Sequence, residues 1–237
     1  MPHLADTFER VAVINLNRRP ERLARFRSGI DAAGWPFRPP EVFDAIDGRT
    51  LTPPPTWQAS AGAYGCAQSH AEVIRRAMAD GVASLLILED DAYIARPGTF
   101  GADAARFLSA VPADWDALFL GGEHLNRDGS PPPGPVASGV VRCHDCERSH
   151  AYALRGPALS HALEVILSAS THKDRALGLA LGRLRTYAAE PFLIGQDEGV
   201  SDINGQEQRR RLWRLGSYEQ PDAARPWRLA DVYPRHP

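Results

Sequence analysis

Short apolar runs alternate along the chain with longer amphipathic stretches. Val11-Ala-Val-Ile-Asn-Leu16 follows charged residues and predicts a buried strand of a parallel sheet. A helix is predicted directly after it: Pro20 suits a first helical turn, Leu23, Phe26 and Ile30 recur at helical spacing, and Gly34 marks a stop. Residues 35–63, rich in Pro, Gly and Thr and including Pro53-Pro54-Pro55, predict an extended, looped segment. From Ala63 to Ala79, Cys66, His70, Val73 and Ala77 fall on one helical face, and Arg75, Arg76 and Asp80 face away. Ser84-Leu-Leu-Ile-Leu88 is the clearest buried strand, and it stops at three adjacent carboxylates, Glu89, Asp90 and Asp91. A helix ending near Val111 and a strand over Asp116–Leu120, closed by Gly121-Gly122, come next. Asn126–Pro135, with three consecutive prolines, predicts a mobile surface loop. Val140–Arg142 and Ser149–Leu154 predict antiparallel strands beyond the parallel part, and Pro157–Ser168 a helix. The alternation predicts an α/β fold around a mainly parallel central sheet.

Composition narrows the class. With 237 residues, 43% apolar and 24% charged, the chain has the profile of a soluble globular protein and the length for one sizeable core, which excludes a disordered, fibrous or small disulfide-stapled protein. A net charge of -2 carries no nucleic-acid-like field. Lys173 is the only lysine against 26 arginines, a bias that reads as codon composition and lowers the weight of arginine runs as phosphate signals. Three cysteines argue for a reducing compartment, the first ten residues have no apolar signal region, and no window approaches a membrane span. The expected location is the cytoplasm. Arg209–Pro237 carries seven arginines against three acids, so a domain over 1–208 and a basic extension over 209–237 are predicted. With Trp213 and Trp227, that extension either docks at the inner face of an anionic membrane or packs along the domain.

Candidate chemistry begins at Glu89-Asp90-Asp91. Adjacent carboxylates raise one another's pKa unless a cation neutralises them, and the carboxyl end of a parallel strand is where α/β proteins build sites. Oxygen ligands of this kind suit Mn²⁺ or Mg²⁺; the alternative is a solvated acidic turn. Cys143-x-x-Cys146, with His144 and His150, outlines a partial zinc site or a local decoration.

Several segments resemble glycosyltransferase family 25 in their order. They are Val13-Ile-Asn-Leu16 with Arg18-Arg19-Pro20-Glu21-Arg22, Phe43-Asp44-Ala45-Ile46-Asp47-Gly48, Gly65-Cys66-Ala67-Gln68-Ser69-His70, Leu86-Ile-Leu-Glu-Asp-Asp91, Ser149-His150-Ala151-Tyr152, Asp174 within Lys173–Leu177, and Gln196 with Ser201-Asp202-Ile203. The resemblance covers roughly residues 10–205. It implies a GT-A-like, Rossmann-like nucleotide-sugar-binding fold and an inverting, metal-dependent enzyme. Such an enzyme moves a hexose, galactose or glucose, from a UDP-sugar to a glycan or lipid-linked saccharide, as in lipopolysaccharide or lipooligosaccharide biosynthesis.

In that reading Glu89, Asp90 and Asp91 hold the Mn²⁺ or Mg²⁺ ion with His172 as an additional ligand, Asp90 being placed alternatively on the donor's sugar or ribose. Asp174 is the catalytic base: it opens a helix whose N-terminus favours an ionised acid. His172 is the runner-up, with Asp197 or Glu198 third, and the plain alternative for Asp174 is an N-terminal helix acid. Asn15, Arg18, Arg22, Asp47, Ser69 and His70 are the donor-binding candidates, against structural readings as a helix cap, solvated helix start, turn former or core histidine. His150, Gln196 and Asp197 are assigned to acceptor or donor. Two further readings are a degenerate nucleotide-sugar-binding module and a metal-dependent phosphohydrolase, the latter wanting a second Asp/His cluster that the chain does not display.

Overall fold

The computed structural model describes residues 3–125 and 130–212. The first strand, β1 (Arg10–Asn15), is followed by α1 (Pro20–Ala32). Pro20 takes the first turn, and Gly34, at φ 61°, lets the Trp35 amide reach back to the Ile30 carbonyl and close the helix. The looped stretch that follows contains β2 (Glu41–Asp44), which pairs in parallel with β1. Next come α2 (Ala61–Ala79), β3 (Ser84–Glu89), β4 (Ala92–Ile94), α3 (Phe100–Ala110) and β5 (Ala117–His124). The chain continues through β6 (Gly134–Ala137), β7 (Val140–Arg142), β8 (Cys146–Arg155), α4 (Pro157–Ser168), α5 (Lys173–Gly182) and β9 (Thr186–Ala189). Short strands β10 (Ile194–Gln196), β11 (Gly199–Val200) and β12 (Glu207–Gln208) complete it.

The main sheet has the order β2-β1-β3-β8-β5-β9-β7-β6. Strands β2, β1, β3, β5, β9 and β6 run in one direction, and β8 and β7 run against them. The α/β class with a mostly co-directional sheet is therefore observed, with three differences from the sequence expectation. β8 lies in the middle of the sheet, between β3 and β5, instead of beyond it; its Ala151, Tyr152, Ala153 and Leu154 are buried on both faces, as a central strand requires. β5 runs on through Gly121-Gly122 to His124, because those glycines face His150 and Cys146 where a larger side chain would collide. Gly134 and Pro135 of the expected loop belong to edge strand β6, while residues 126–129 lie outside the described residues.

Alternation along the strands divides the interior into two cores. Ala12, Ile14, Leu85, Ile87, Phe119, Tyr152 and Leu154 meet α2, α4 and α5 on one face. Val11, Val13, Leu86, Leu88, Leu118, Leu120 and Ala153 meet Phe26 and Ile30 of α1 and Phe100, Ala104 and Phe107 of α3 on the other. Each large apolar side chain buried here contributes roughly 1.5–3 kcal/mol. The parity that sends Leu85 and Ile87 toward α2 also sends Glu89 there, and this fixes the site. Arg211 forms an isolated bridge with Gln196, and Leu212 packs on the core. Residues 213–237, with Trp213 and Trp227, lie outside the described residues. Among the described residues no helix is long and apolar enough to cross a membrane.

Candidate active site

A cleft of about 720 Å³ opens over the carboxyl ends of β1 and β3. Its walls are built by close backbone contact. A Cβ on Gly65 of α2 would stand 2.5 Å from the Gly48 nitrogen and 2.6 Å from the Ile46 carbonyl oxygen, so only glycine lets the helix seat against the Asp47-Gly48 turn. The Ser69 hydroxyl, fully buried, accepts a 2.9 Å bond from the Ile46 amide and donates to the Gly65 carbonyl. Ser69 thus joins two motif segments that are far apart in sequence.

The acidic triplet splits between two cations. Asp90 and Asp91 both meet the Arg22 guanidinium, at 2.8 and 2.7 Å. Asn15 donates to Asp90 at 2.6 Å, and Gln196 to Asp91 Oδ2 at 3.1 Å. Arg22 also reaches Asp202, which Arg18 and Arg19 share at 2.6 and 3.1 Å, and Arg18 continues to Asp47 at 2.9 Å. Glu89 turns the other way. Its Oε1 lies 3.1 Å from His70 Nε2 and 3.6 Å from Lys173 Nζ. Lys173, only 3% exposed, donates to Ser149 Oγ at 2.5 Å and to Asp174 Oδ1 at 2.6 Å, and Ser149 donates to the same Asp174 oxygen at 2.5 Å.

Charge states follow from these pairs. Burial pushes Asp91 up to about 7, helped by Glu89 and Asp90 and resisted by Arg22 and Gln196. Burial likewise carries Asp90 to about 6 against Arg22 and Asn15. For Glu89 burial acts upward but is outweighed by Lys173 and His70, which hold it below the usual carboxylate range. Asp174 is depressed in the same way by Lys173 and Ser149. Burial, with Lys173 adding to it, lowers His70, so the ring is neutral: Nε2–H donates to Glu89 and Nδ1 accepts from the Tyr152 hydroxyl at 3.0 Å.

The sequence-selected residues mostly meet here. Asn15, Arg18, Arg22, Asp47, Ser69, His70, Glu89, Asp90, Asp91, His150, His172, Asp174, Gln196, Asp197 and Glu198 all belong to this region, though Asn15 and Ser69 are buried in its wall. Asp197 is turned toward Arg210 at 2.6 Å and Arg25 at 3.4 Å. His150 is buried with Nε2 3.3 Å from the Ile194 carbonyl oxygen. The triplet does not converge on one point. Among the described residues, the sets of three His, Cys, Asp or Glu ligand atoms lying within 4.8 Å of one another are Cys66–His70–Glu89 and His124–Cys143–Cys146. Lys173, Ser149 and Asp202 were not selected as site residues from sequence. The available signal for Lys173 was its solitude: one lysine kept beside Asp174 in a chain that otherwise uses arginine.

Comparison with known proteins shows similarity over part of the chain. Residues 8–111 match the model of Glycosyltransferase family 25 (LPS biosynthesis protein). A Mus musculus relative named inactive glycosyltransferase 25 family member 3 is 30% identical over 142 residues, covering 51% of this chain and 23% of its own length. Its Homo sapiens counterpart, of the same name, is 29% identical over 146 residues, covering 51% and 23%. The chain spans about a quarter of the length of the curated relatives it matches. Among solved structures, a glycosyltransferase involved in the glycosylation of the major capsid of PBCV-1 aligns with a TM-score of 0.43 at 11% identity, over 76% of this chain and 80% of that one.

Proposed function

We propose, from the premise that residues 8–111 carry the family 25 glycosyltransferase sequence, that the chain transfers a hexose, galactose or glucose, from a UDP-sugar to a hydroxyl of a glycan or lipid-linked saccharide. The observation that carries this reading is the meeting in one cleft of an acidic strand end, a row of arginines and an ionised carboxylate held by a single oxygen. A volume of about 720 Å³ suits a nucleotide-sugar. Arg18, Arg19 and Arg22 present planar donors that a diphosphate can claim from Asp202, Asp47 and Asp90.

A divalent ion fits the donor set. Asp91 Oδ1 is buried with no hydrogen-bond partner among the described residues, and the neighbouring charges of Glu89 and Asp90 act on Asp91. Mg²⁺ and Mn²⁺ are commonly held by one or two carboxylates together with substrate phosphates, so a three-residue cage is not required. Asp91, with Glu89 or Asp90, would hold the ion, which when bound offsets the negative charge growing on the leaving diphosphate.

Asp174 is the proposed base. Ser149 and Lys173 both end on Oδ1, which orients the carboxylate and leaves Oδ2 to take the proton of the acceptor hydroxyl. Acceptor oxygen bonds the anomeric carbon as its bond to the phosphate oxygen breaks, and inversion follows from this single displacement. A carboxylate held below its usual range is a modest base, suited to receiving the proton late, once the new bond has made the hydroxyl acidic. Arg22 and Lys173, already neutralising the acids, and relatives whose names call them inactive favour a second reading: a nucleotide-sugar-binding module without turnover. Calorimetric titration with UDP, with Mn²⁺ and then with chelator, tests the site. Manganese-dependent binding that is lost in Asp91→Asn is expected; UDP binding unaffected by chelator and by that substitution would contradict the metal assignment.

A further inference from the structure

Beneath α5 the sheet brings together a second constellation. His124, the last residue of β5, is in direct register with Cys146, the first of β8. Cys143 follows β7, and the turn Cys143-His144-Asp145-Cys146 is fixed by bonds from the Cys143 amide to the Thr186 carbonyl and from the Leu125 amide to the Asp145 carbonyl, at 2.9 and 3.0 Å. All three side chains are buried, and both thiols are free. Cys143 Sγ lies 3.9 Å from His124 Nδ1, and the three ligand atoms lie within 4.8 Å of one another. A zinc ion bonded to sulfur at ~2.3 Å and to imidazole nitrogen at ~2.0 Å holds such atoms ~3.6 Å apart, so little movement is needed.

We infer that His124, Cys143 and Cys146 form a structural zinc site. The two thiols lose their protons to solvent as zinc binds, giving two thiolates and a neutral imidazole and leaving one tetrahedral position for a further donor. The imidazole is already oriented: its ring stacks on Phe192 with centroids 5.0 Å apart, and Nε2 is buried without a hydrogen-bond partner among the described residues. The third ligand is not the histidine that the short motif suggested. His144 lies within the turn but is only half-buried, and His150 is engaged at the cleft side with Ile194.

The site has a mechanical role. Gly178 and Gly182 of α5 pack so closely on the carbonyls of Cys146 and His144 that a Cβ at either would collide with them. The helix that begins with Lys173 and Asp174 therefore rests on the metal-binding turn. Zinc linking that turn to β5 stabilises the platform for α5 whether or not the cleft transfers sugar.

The test is metal analysis of the intact protein after reduction and incubation with zinc, joined to cobalt substitution and thermal unfolding with and without a strong chelator. About one zinc per chain, tetrahedral cobalt-thiolate absorption and a chelator-lowered Tm are expected. His124→Ala and Cys146→Ser lose the metal, whereas His144→Ala keeps it. Because a buried-cysteine variant can fail to fold, the cobalt spectrum of the unmodified protein decides independently. Absence of stoichiometric zinc, a cobalt spectrum without thiolate bands, or zinc retained in His124→Ala and lost in His144→Ala would overturn the assignment. A Cys143–Cys146 disulfide that, once reduced, takes up no zinc would also overturn it.

Discussion

Lys173 shows how one side chain sets the chemistry of its neighbours. It is buried between Glu89 and Asp174, so removing it leaves two carboxylates without their cation. Lys173→Met is expected to cost roughly 3–5 kcal/mol near neutral pH, the usual penalty for breaking a buried pair. The pH window follows from the depressed carboxylates: their stabilisation is present above the unfolded carboxylate range and is lost as pH falls. The gap between variant and unmodified protein, measured by urea unfolding, therefore narrows below about pH 4. Asp91 behaves in the opposite sense. Its folded pKa, about 7, lies above the unfolded value, so the folded state holds the extra proton and loses that advantage as pH rises toward 7. Asp91→Asn removes this titration and keeps the shape. In chelator the variant should gain on the unmodified protein between about pH 5 and 7.5, while the lowered histidines, whose slope is opposite, are common to both proteins and cancel. A constant difference in Tm across that range would show that Asp91 is ionised throughout.

At the scale of elements, periodicity made the frame legible and spatial pairing did not. Ser84–Leu88 reads as a strand because five consecutive buried positions have no other economical arrangement, and Glu89 follows its parity onto the α2 side. The helices over Pro20–Ala32 and Pro157–Ser168 carry their own stop and start signals. The place of β8 was not legible, since strand order is set by long-range register that no local pattern encodes. For the same reason Asp202 was seen only as part of a motif, although it joins Arg18, Arg19 and Arg22 across separations of 184, 183 and 180 residues. His124 as partner of Cys143 and Cys146 was hidden likewise, 19 positions before the first cysteine and on another strand. The glycine of the Gly65–His70 segment acquires a physical reason only in three dimensions. Gly65→Ala should lower stability by at least ~1–3 kcal/mol through overpacking against the Asp47-Gly48 turn, and reduce UDP affinity because that turn lines the cleft. Normal stability and affinity in this variant would mean that the turn relaxes freely.

For the whole molecule, the two faces of one sheet divide the labour. α2, α4 and α5 cover the face that carries Glu89, His70, Lys173 and Asp174, while α1 and α3 close the other and bring Arg22 over the strand ends. The proposed transfer needs both: arginines from one side for the diphosphate, and a carboxylate from the other for the acceptor. Asp174→Asn should leave UDP and Mn²⁺ binding intact and lower transfer by about 10²–10⁴, the worth of a positioned base. The most direct test is the rate of UDP release from a panel of nucleotide-sugars with Mn²⁺, in the presence and absence of saccharide acceptors, for the unmodified protein and Asp174→Asn side by side. Release confined to one UDP-hexose, stimulated by acceptor, abolished by chelator and lost in Asp174→Asn is the predicted result. Binding of UDP-sugars with no acceptor-stimulated release from any donor would contradict transfer and leave a nucleotide-sugar-binding module.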